Sequence, residues 1–404
     1  MQPAPIPLRH PHRLTVLLGV LTAFGPMSID MYLPAFGQIT RDLGARPGAV
    51  QWTLAIYLIS AGICQAFYGP LADRFGRRQP LLIGCAVYAL GSMACALAPS
   101  IGILLLGRML QALGGAAGMV ITRAVVRDLY DERQAAGIFS QLMMVMGVAP
   151  ILAPWVGGQI LLWGSWRLIF FLLTGFGCFC FAATALGLPE SLPPQRRRRE
   201  GITGVLRVFR DLLRHRGFRG YALVAGFTSG TMFAYISGSS FVYMELYGVS
   251  AQHFGLFFGA NACGMAFAGQ ANRWLLRRAT PEAILNGAMQ VSLALGLALA
   301  ACGATGFGKL PLLAGLLFCA LFSNGVVFPN LMAAIMAPFQ RTAGSASALL
   351  GTVQFAVGGL AGAMVGVLYN GTALPMTGTL AACAAGGFLA LRTLHKRSAP
   401  SAVV

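Results

Sequence analysis

One carboxylate in this chain stands where a carboxylate is hard to keep. Asp30 falls in Pro26-Met27-Ser28-Ile29-Asp30-Met31-Tyr32-Leu33-Pro34, inside a hydrophobic run over 14–36, whereas the rest of the eleven acidic residues fall in loops or at the ends of runs. Arg108 is the basic counterpart, well inside the run 101–123. An ionisable group within hydrocarbon is costly and is a functional-site candidate by default. At 1.5 Å of rise per residue, Asp30 lies about 9 Å and Arg108 about 10 Å below the outer ends of their runs. A buried pair of opposite charges is the least costly way to keep both. The expectation is that Asp30 and Arg108 face a central cavity, coupled directly or through water, and that Asp30 loads and releases a proton. The plainer alternative is a shallow, hydrated Asp30.

Further candidates surround this pair. Gln111 lies one turn beyond Arg108, and Gly114, Gly115 and Gly118 allow close helix approach. The run 136–160 carries Pro150, Pro154, Gly157 and Gly158, preceded by Met143, Met144 and Met146. Two prolines four apart kink a helix, and the glycines let it pack tightly, so this run is expected to seal a path against leak. By depth alone, the cavity-lining candidates are Met27, Tyr32, Gln111, Met146, Phe233, Tyr235 and Phe328. The nine Cys fall in apolar runs without a C-x-x-C pair, and the five His are scattered, so neither a disulfide framework nor a metal site is expected. Gly303 to Lys309 imitates a phosphate loop, but Leu310 replaces the required Ser or Thr and ATP binding is rejected. No cofactor is expected beyond protons as the coupling ion.

These residues must be held by membrane helices. The chain of 404 residues is 57% hydrophobic and only 10% charged, against about 25% charged for soluble domains. Twelve spans are read: 14–36, 50–71, 79–99, 101–123, 136–160, 167–188, 219–244, 252–275, 282–304, 309–333, 342–368 and 375–392. The class is an all-α polytopic membrane protein; a β-barrel would need short alternating segments. Of 29 Lys and Arg, 24 fall on the side that carries both termini. That bias predicts cytoplasmic termini, and it explains the net charge of +18 without nucleic acid. Met1 to Arg13 is basic, and the run after it holds an acid, so no cleaved signal is read.

The stretch Gly69-Pro70-Leu71-Ala72-Asp73-Arg74-Phe75-Gly76-Arg77-Arg78 is a charged hairpin between the second and third spans. Shifted by 200 residues, Gly69, Arg77 and Arg78 fall on Gly269, Arg277 and Arg278; Gly157-Gly158 meet Gly358-Gly359 at an offset of 201. Repeats of one orientation predict two pseudo-symmetric six-helix bundles about an axis along the membrane normal, suited to alternating access. The expected units are 1–188, a cytoplasmic linker 189–218, and 219–404. Within the linker, Arg207 to Arg219 could lie as an amphipathic helix on the anionic leaflet or stay solvated. Asp73 is expected to cap the eleventh span near Thr342 to Ser345, holding the two halves together on the inner side.

The hairpin closely resembles the signature of the major facilitator superfamily through Gly69, Leu71, Asp73, Arg74, Gly76, Arg77 and Arg78. Arg108 with Gln111 and Gly114 resembles the family's fourth-span motif, with Ala112 for the usual Gly. Pro154, Gly157 and Gly158 are similar to its antiporter motif, with Ala149 and Ala153 for two glycines. Asp30 to Pro34, Ala149-Pro150, Ser250 to Gly255, Phe328-Pro329-Asn330 and Ala343 to Leu350 together look like the Bcr/CflA drug:proton antiporters. The resemblance implies an exporter of small amphipathic drugs, such as amphenicols, bicyclomycin or sulfonamides, in a bacterial inner membrane; a monomer is expected. It also implies coupling through Asp30 and Arg108, and a cytoplasmic gate of Gly69, Asp73, Gly76, Arg77, Arg78 and Asp128. Some relatives carry a further acid where Thr22 stands here, so fewer proton carriers are expected. The rivals are a transporter of a native metabolite (dipeptide, sugar or polyol), an uncoupled facilitator, and a membrane enzyme, for which no polar catalytic cluster is seen.

Overall fold

In hydrocarbon every peptide group must be hydrogen-bonded within the protein, and a single long apolar run meets that demand by itself only as a helix. The computed structural model describes residues 11–197, 202–336, 338–339 and 343–398, and these residues are helical throughout their long apolar stretches. The first span is three pieces: α1 (Pro11–Thr22), α2 (Phe24–Asp30) and α3 (Phe36–Asp42), with a 3-10 turn at Leu33–Ala35. The break follows Asp30, where Pro34 cannot donate a helical hydrogen bond. The first half continues with α4 (Pro47–Phe75), α5 (Arg78–Ala96), α6 (Ile101–Leu129), α7 (Glu132–Trp163) and α8 (Arg167–Gly187). After the short α9 (Ile202–Arg214) come α10 (Arg216–Ser240), α11 (Ala251–Leu275), α12 (Pro281–Thr305), α13 (Lys309–Met336), α14 (Ala343–Val367) and α15 (Leu374–Ser398). Several spans outrun their expected ends; α6 extends to Leu129 and carries Arg123 within it.

Ten of these helices, with the first span counted whole, are long and apolar enough to cross a membrane. The other two expected spans, α10 and α11, are less apolar, and both bury polar side chains. α10 buries Thr228, Ser229, Thr231, Ser237, Ser239 and Ser240, and α11 buries Asn261 and Asn272. The packing repeats between halves. α5 rests on α6 and α8 as α12 rests on α13 and α15; α4 meets α6 as α11 meets α13; α1 meets α7 and α8 as α10 meets α14 and α15. The all-α fold is thus two pseudo-symmetric bundles, joined chiefly along α4 with α14 and α7 with α11.

These two seams are closed on the side away from the Gly69–Arg78 hairpin. A Cβ on Gly48 would strike the Gly366 carbonyl, and one on Gly158 the Ala251 carbonyl. Nearer mid-helix, Thr352 Oγ1 donates to the Gly62 carbonyl at 2.9 Å. Toward the hairpin side the helices part: a Cβ on Gly69, Gly137, Gly147 or Gly344 would meet nothing within 4 Å. The helix α9 starts earlier than the expected Arg207–Arg219 segment. It seats Phe209 and Leu212 against Phe218, Leu349, Leu350 and Leu391 of the second bundle, so its buried apolar face is spent on protein.

Candidate functional site

Arg108 is fully buried inside the first bundle. Its guanidinium carbon lies 4.3 Å from the ring centres of both Tyr32 and Tyr57 and 5.9 Å from that of Phe170. A cation desolvated against an aromatic face gains about 2 kcal/mol, so two faces offset a substantial part of its burial. Nη1 donates to Gln111 Oε1; Gln111 Nε2 donates to Ser92 Oγ at 2.8 Å, and Ser92 donates to the Tyr88 carbonyl at 2.8 Å. The Tyr32 and Thr53 hydroxyls are 3.2 Å apart. Nε and Nη2 of Arg108 find no acceptor among the described residues.

Asp30 is buried at the end of α2, and its Oδ1 likewise has no hydrogen-bond partner among the described residues. It lies within electrostatic reach of Tyr57 in the first bundle and of Tyr235 on α10 in the second. Three residues further on, the Leu33 carbonyl accepts from Ser240 Oγ at 2.6 Å, a bond between the bundles. Tyr235 in turn accepts from Asn261 Nδ2 at 2.7 Å. The direct pairing of Asp30 with Arg108 is not formed: no ion pair joins them within 4 Å. The aromatic rings hold the arginine instead, and Tyr57 is within electrostatic reach of both charges. Sequence reasoning missed Tyr57, Phe170 and Ser92, since only packing reveals which residues of separate helices share one depth.

The cavity candidates divide. Tyr32 and Gln111 are buried in the first bundle beside Arg108. Phe233 and Tyr235 are buried where the bundles meet; Phe233 contacts the Phe355 ring at 5.7 Å. Met27 and Met146 are half-buried, and Phe328 is exposed. Gly157 and Gly158 serve close approach: a Cβ on Gly157 would strike the Met31 carbonyl. Pro150 and Pro154 lie inside α7.

The hairpin forms a charged network. Arg77 Nη1 donates to Asp73 Oδ1 at 2.6 Å, and Arg77 Nε donates to Asp128 Oδ2 at 2.8 Å. Burial works against the Arg77 charge, but hydrogen bonds and attraction from Asp128 and Asp73 outweigh it and hold its pKa above the usual value. Asp73 is engaged with Arg77 in its own hairpin; of the expected cap site at the start of α14, Thr342 lies outside the described residues. Glu190, which sequence reasoning left as a loop residue, accepts from the backbone N–H of Arg77 at 2.8 Å and of Arg78 at 3.3 Å. It thereby satisfies orphan donors at the start of α5. Ser191 Oγ donates to Asp128 Oδ2 at 3.2 Å, and Arg78 Nη2 donates to the Ala185 carbonyl at 2.5 Å. Gly76 has φ +92°, and a Cβ there would strike the Glu190 carboxylate, so this position requires glycine. Gly69 meets no such demand. In the second half the matching contact is uncharged, beside Arg273, Arg277 and Arg278: Asn330 Nδ2 donates to Asn272 Oδ1 at 2.6 Å.

Comparison with known proteins agrees with this architecture. The model of the Major Facilitator Superfamily matches residues 18–363. The chain is 37% identical over 394 residues to the "Uncharacterized MFS-type transporter YdgK" of Bacillus subtilis (strain 168), covering 95% of each. It is 32% identical over 384 residues to the "Bicyclomycin resistance protein homolog" of Haemophilus influenzae (strain Rd), covering 95% of this chain and 96% of the relative. Among solved structures, a bacterial homologue of the human lysosomal transporter Spinster, inward-facing and occupied, aligns with TM-score 0.71 at 17% identity over 98% of this chain and all of that one.

Proposed function

Because the chain belongs to the Major Facilitator Superfamily and is a multi-pass bacterial transporter rather than an enzyme, we propose that it exports small amphipathic drugs in exchange for protons. Amphenicols, bicyclomycin and sulfonamides are the substrate class that the Bcr/CflA resemblance and the bicyclomycin-resistance relative favour. The protein acts as a monomer in the inner membrane, with both termini cytoplasmic and the 189–218 segment linking units 1–188 and 219–404. With that orientation, the seams closed away from the hairpin make this an inward-open arrangement.

The observation that carries the proton-coupling reading is the buried, unpartnered Asp30 oxygen at the junction of the bundles. An unpaired charge there is costly, so Asp30 is protonated while enclosed and ionises when rearrangement admits water or brings a cation. Arg108 holds Tyr32 and Tyr57 in place around the helix break and supplies a fixed positive field. The Asp73–Arg77–Asp128 network with Gly76 and Arg78 sets the hairpin that forms the cytoplasmic gate. The α7 glycines let the outer seam close without leak. One proton exchanged for one neutral drug stores about 1.4 kcal/mol per pH unit, enough for about tenfold accumulation. Proteoliposomes with an imposed pH gradient and a drug panel test this. Gradient-driven accumulation of at least one amphipathic drug supports the reading. Equilibration without accumulation for all of them refutes coupling.

A further inference from the structure

The helix α6 shows two opposite exposed faces. In its outer half, Ile103, Leu106 and Leu110 are exposed. In its inner half, Met119 and Val120 are half-exposed, and Arg123 and Arg127 are exposed. At 3.6 residues per turn, Arg123 points roughly 200–260° around the helix from those three outer residues. An apolar outer stripe against lipid therefore places Arg123 on the side turned toward the protein interior. Its surroundings agree: solvent reaches the side chain, and the charge that bears on it is that of Arg127. Met119, one turn above it, touches Gly25 of α2, so this face adjoins the helix that ends in Asp30. On α13, the pseudo-symmetric partner of α6, Phe328 lies about 160° around the helix from exposed Leu312 and faces inward by the same reasoning.

Charge on this wall is one-sided. Arg123 has no carboxylate within 4 Å among the described residues, and the charged group acting on it is Arg127. The described acids at this end of the first bundle are committed: Asp73 and Asp128 both serve Arg77, Glu190 serves the start of α5, and Asp131 accepts from the Gln134 N–H at the start of α7. Asp30 is enclosed. A guanidinium with no carboxylate partner among the described residues binds an anionic or electron-rich group and repels a cation.

We infer that Arg123 selects substrates by charge: it is a binding contact on the wall of the inner vestibule for amphipathic molecules carrying a carboxylate or similar anionic group. This rests on the exporter reading above. The test measures transport in inside-out vesicles of a neutral amphenicol, its hemisuccinate ester, and ethidium as a cation. The first two share one scaffold and differ in charge. Arg123→Gln is expected to raise the ratio of the KM for the hemisuccinate to that for the parent roughly 10- to 100-fold, the worth of a charge-assisted hydrogen bond, with Arg123→Lys restoring most of it. An unchanged ratio, as a packing role would give, overturns the inference. So does wild-type protein that prefers ethidium to the hemisuccinate, or that moves the parent and rejects the ester, whatever the variants do. Wild-type protein that moves none of the three probes overturns the exporter reading itself.

Discussion

A single methyl group at Gly48 is expected to pry open the outer side. Gly48 on α4 and Gly366 on α14 cross so closely that an added Cβ falls on the partner's carbonyl oxygen. Backbone cannot yield as a flexible side chain does, so Gly48→Ala should carry the usual overpacking penalty of about 1–3 kcal/mol. That penalty applies only while the seam is closed. About 2 kcal/mol changes a two-state ratio roughly 30-fold, so a closed state favoured 100:1 would fall to about 3:1. Spin labels at Ala49 and Leu368, in a background freed of the nine native cysteines, would report the change as a second, longer distance in double electron–electron resonance. Gly147→Ala is the control, since a Cβ there meets nothing within 4 Å. The reasoning fails if Gly48→Ala leaves the distance distribution as in the parent, or if Gly147→Ala shifts it equally.

Three further outcomes follow from the geometry. Tyr57→Leu removes one of the two close aromatic faces on Arg108 and should lower thermal stability by about 2 kcal/mol, while Tyr57→Phe, which keeps the face, should cost much less. Asp128→Asn should destabilise more than Asp73→Asn in the same melting assay, because the Asp128 side chain is 18% exposed against 37% for Asp73 and an unpaired Arg77 costs most where water is scarce. Gly76→Ala, at φ +92° against the Glu190 carboxylate, should cost about 1–3 kcal/mol, whereas Gly69→Ala should be nearly neutral in detergent stability.

How legible each part was depended on whether a local rule governed it. The Gly69–Arg78 hairpin and the repeat at Gly269, Arg277 and Arg278 could be read because charge cannot rest in hydrocarbon, so charged clusters mark the ends of spans. Arg77 with Asp73 follows from i,i+4 spacing, and Asp128 joins them where α6 outruns its expected end. The surroundings of Arg108 were not legible. Its sandwich takes Tyr32, Tyr57 and Phe170 from three different spans, and no period in any one of them encodes that meeting. A rule that pairs charge with charge pointed to Asp30, whereas aromatic faces do the holding. Arg123 was counted with the surface charges because an arginine near a run's end reads as topology; only the second exposed face of α6 sets it apart. Glu190 looked like an ordinary loop acid, because the donors it satisfies belong to the start of α5, far away in sequence.

The central claim is that Asp30 carries the exchanged proton, and proton release on drug binding tests it most directly. Purified protein in weakly buffered detergent with a pH-sensitive dye should acidify the medium when a transported drug is added, because drug and proton compete through linked states. The account predicts that Asp30→Asn abolishes this release while drug binding, followed separately, persists. Undiminished release from Asp30→Asn would contradict it.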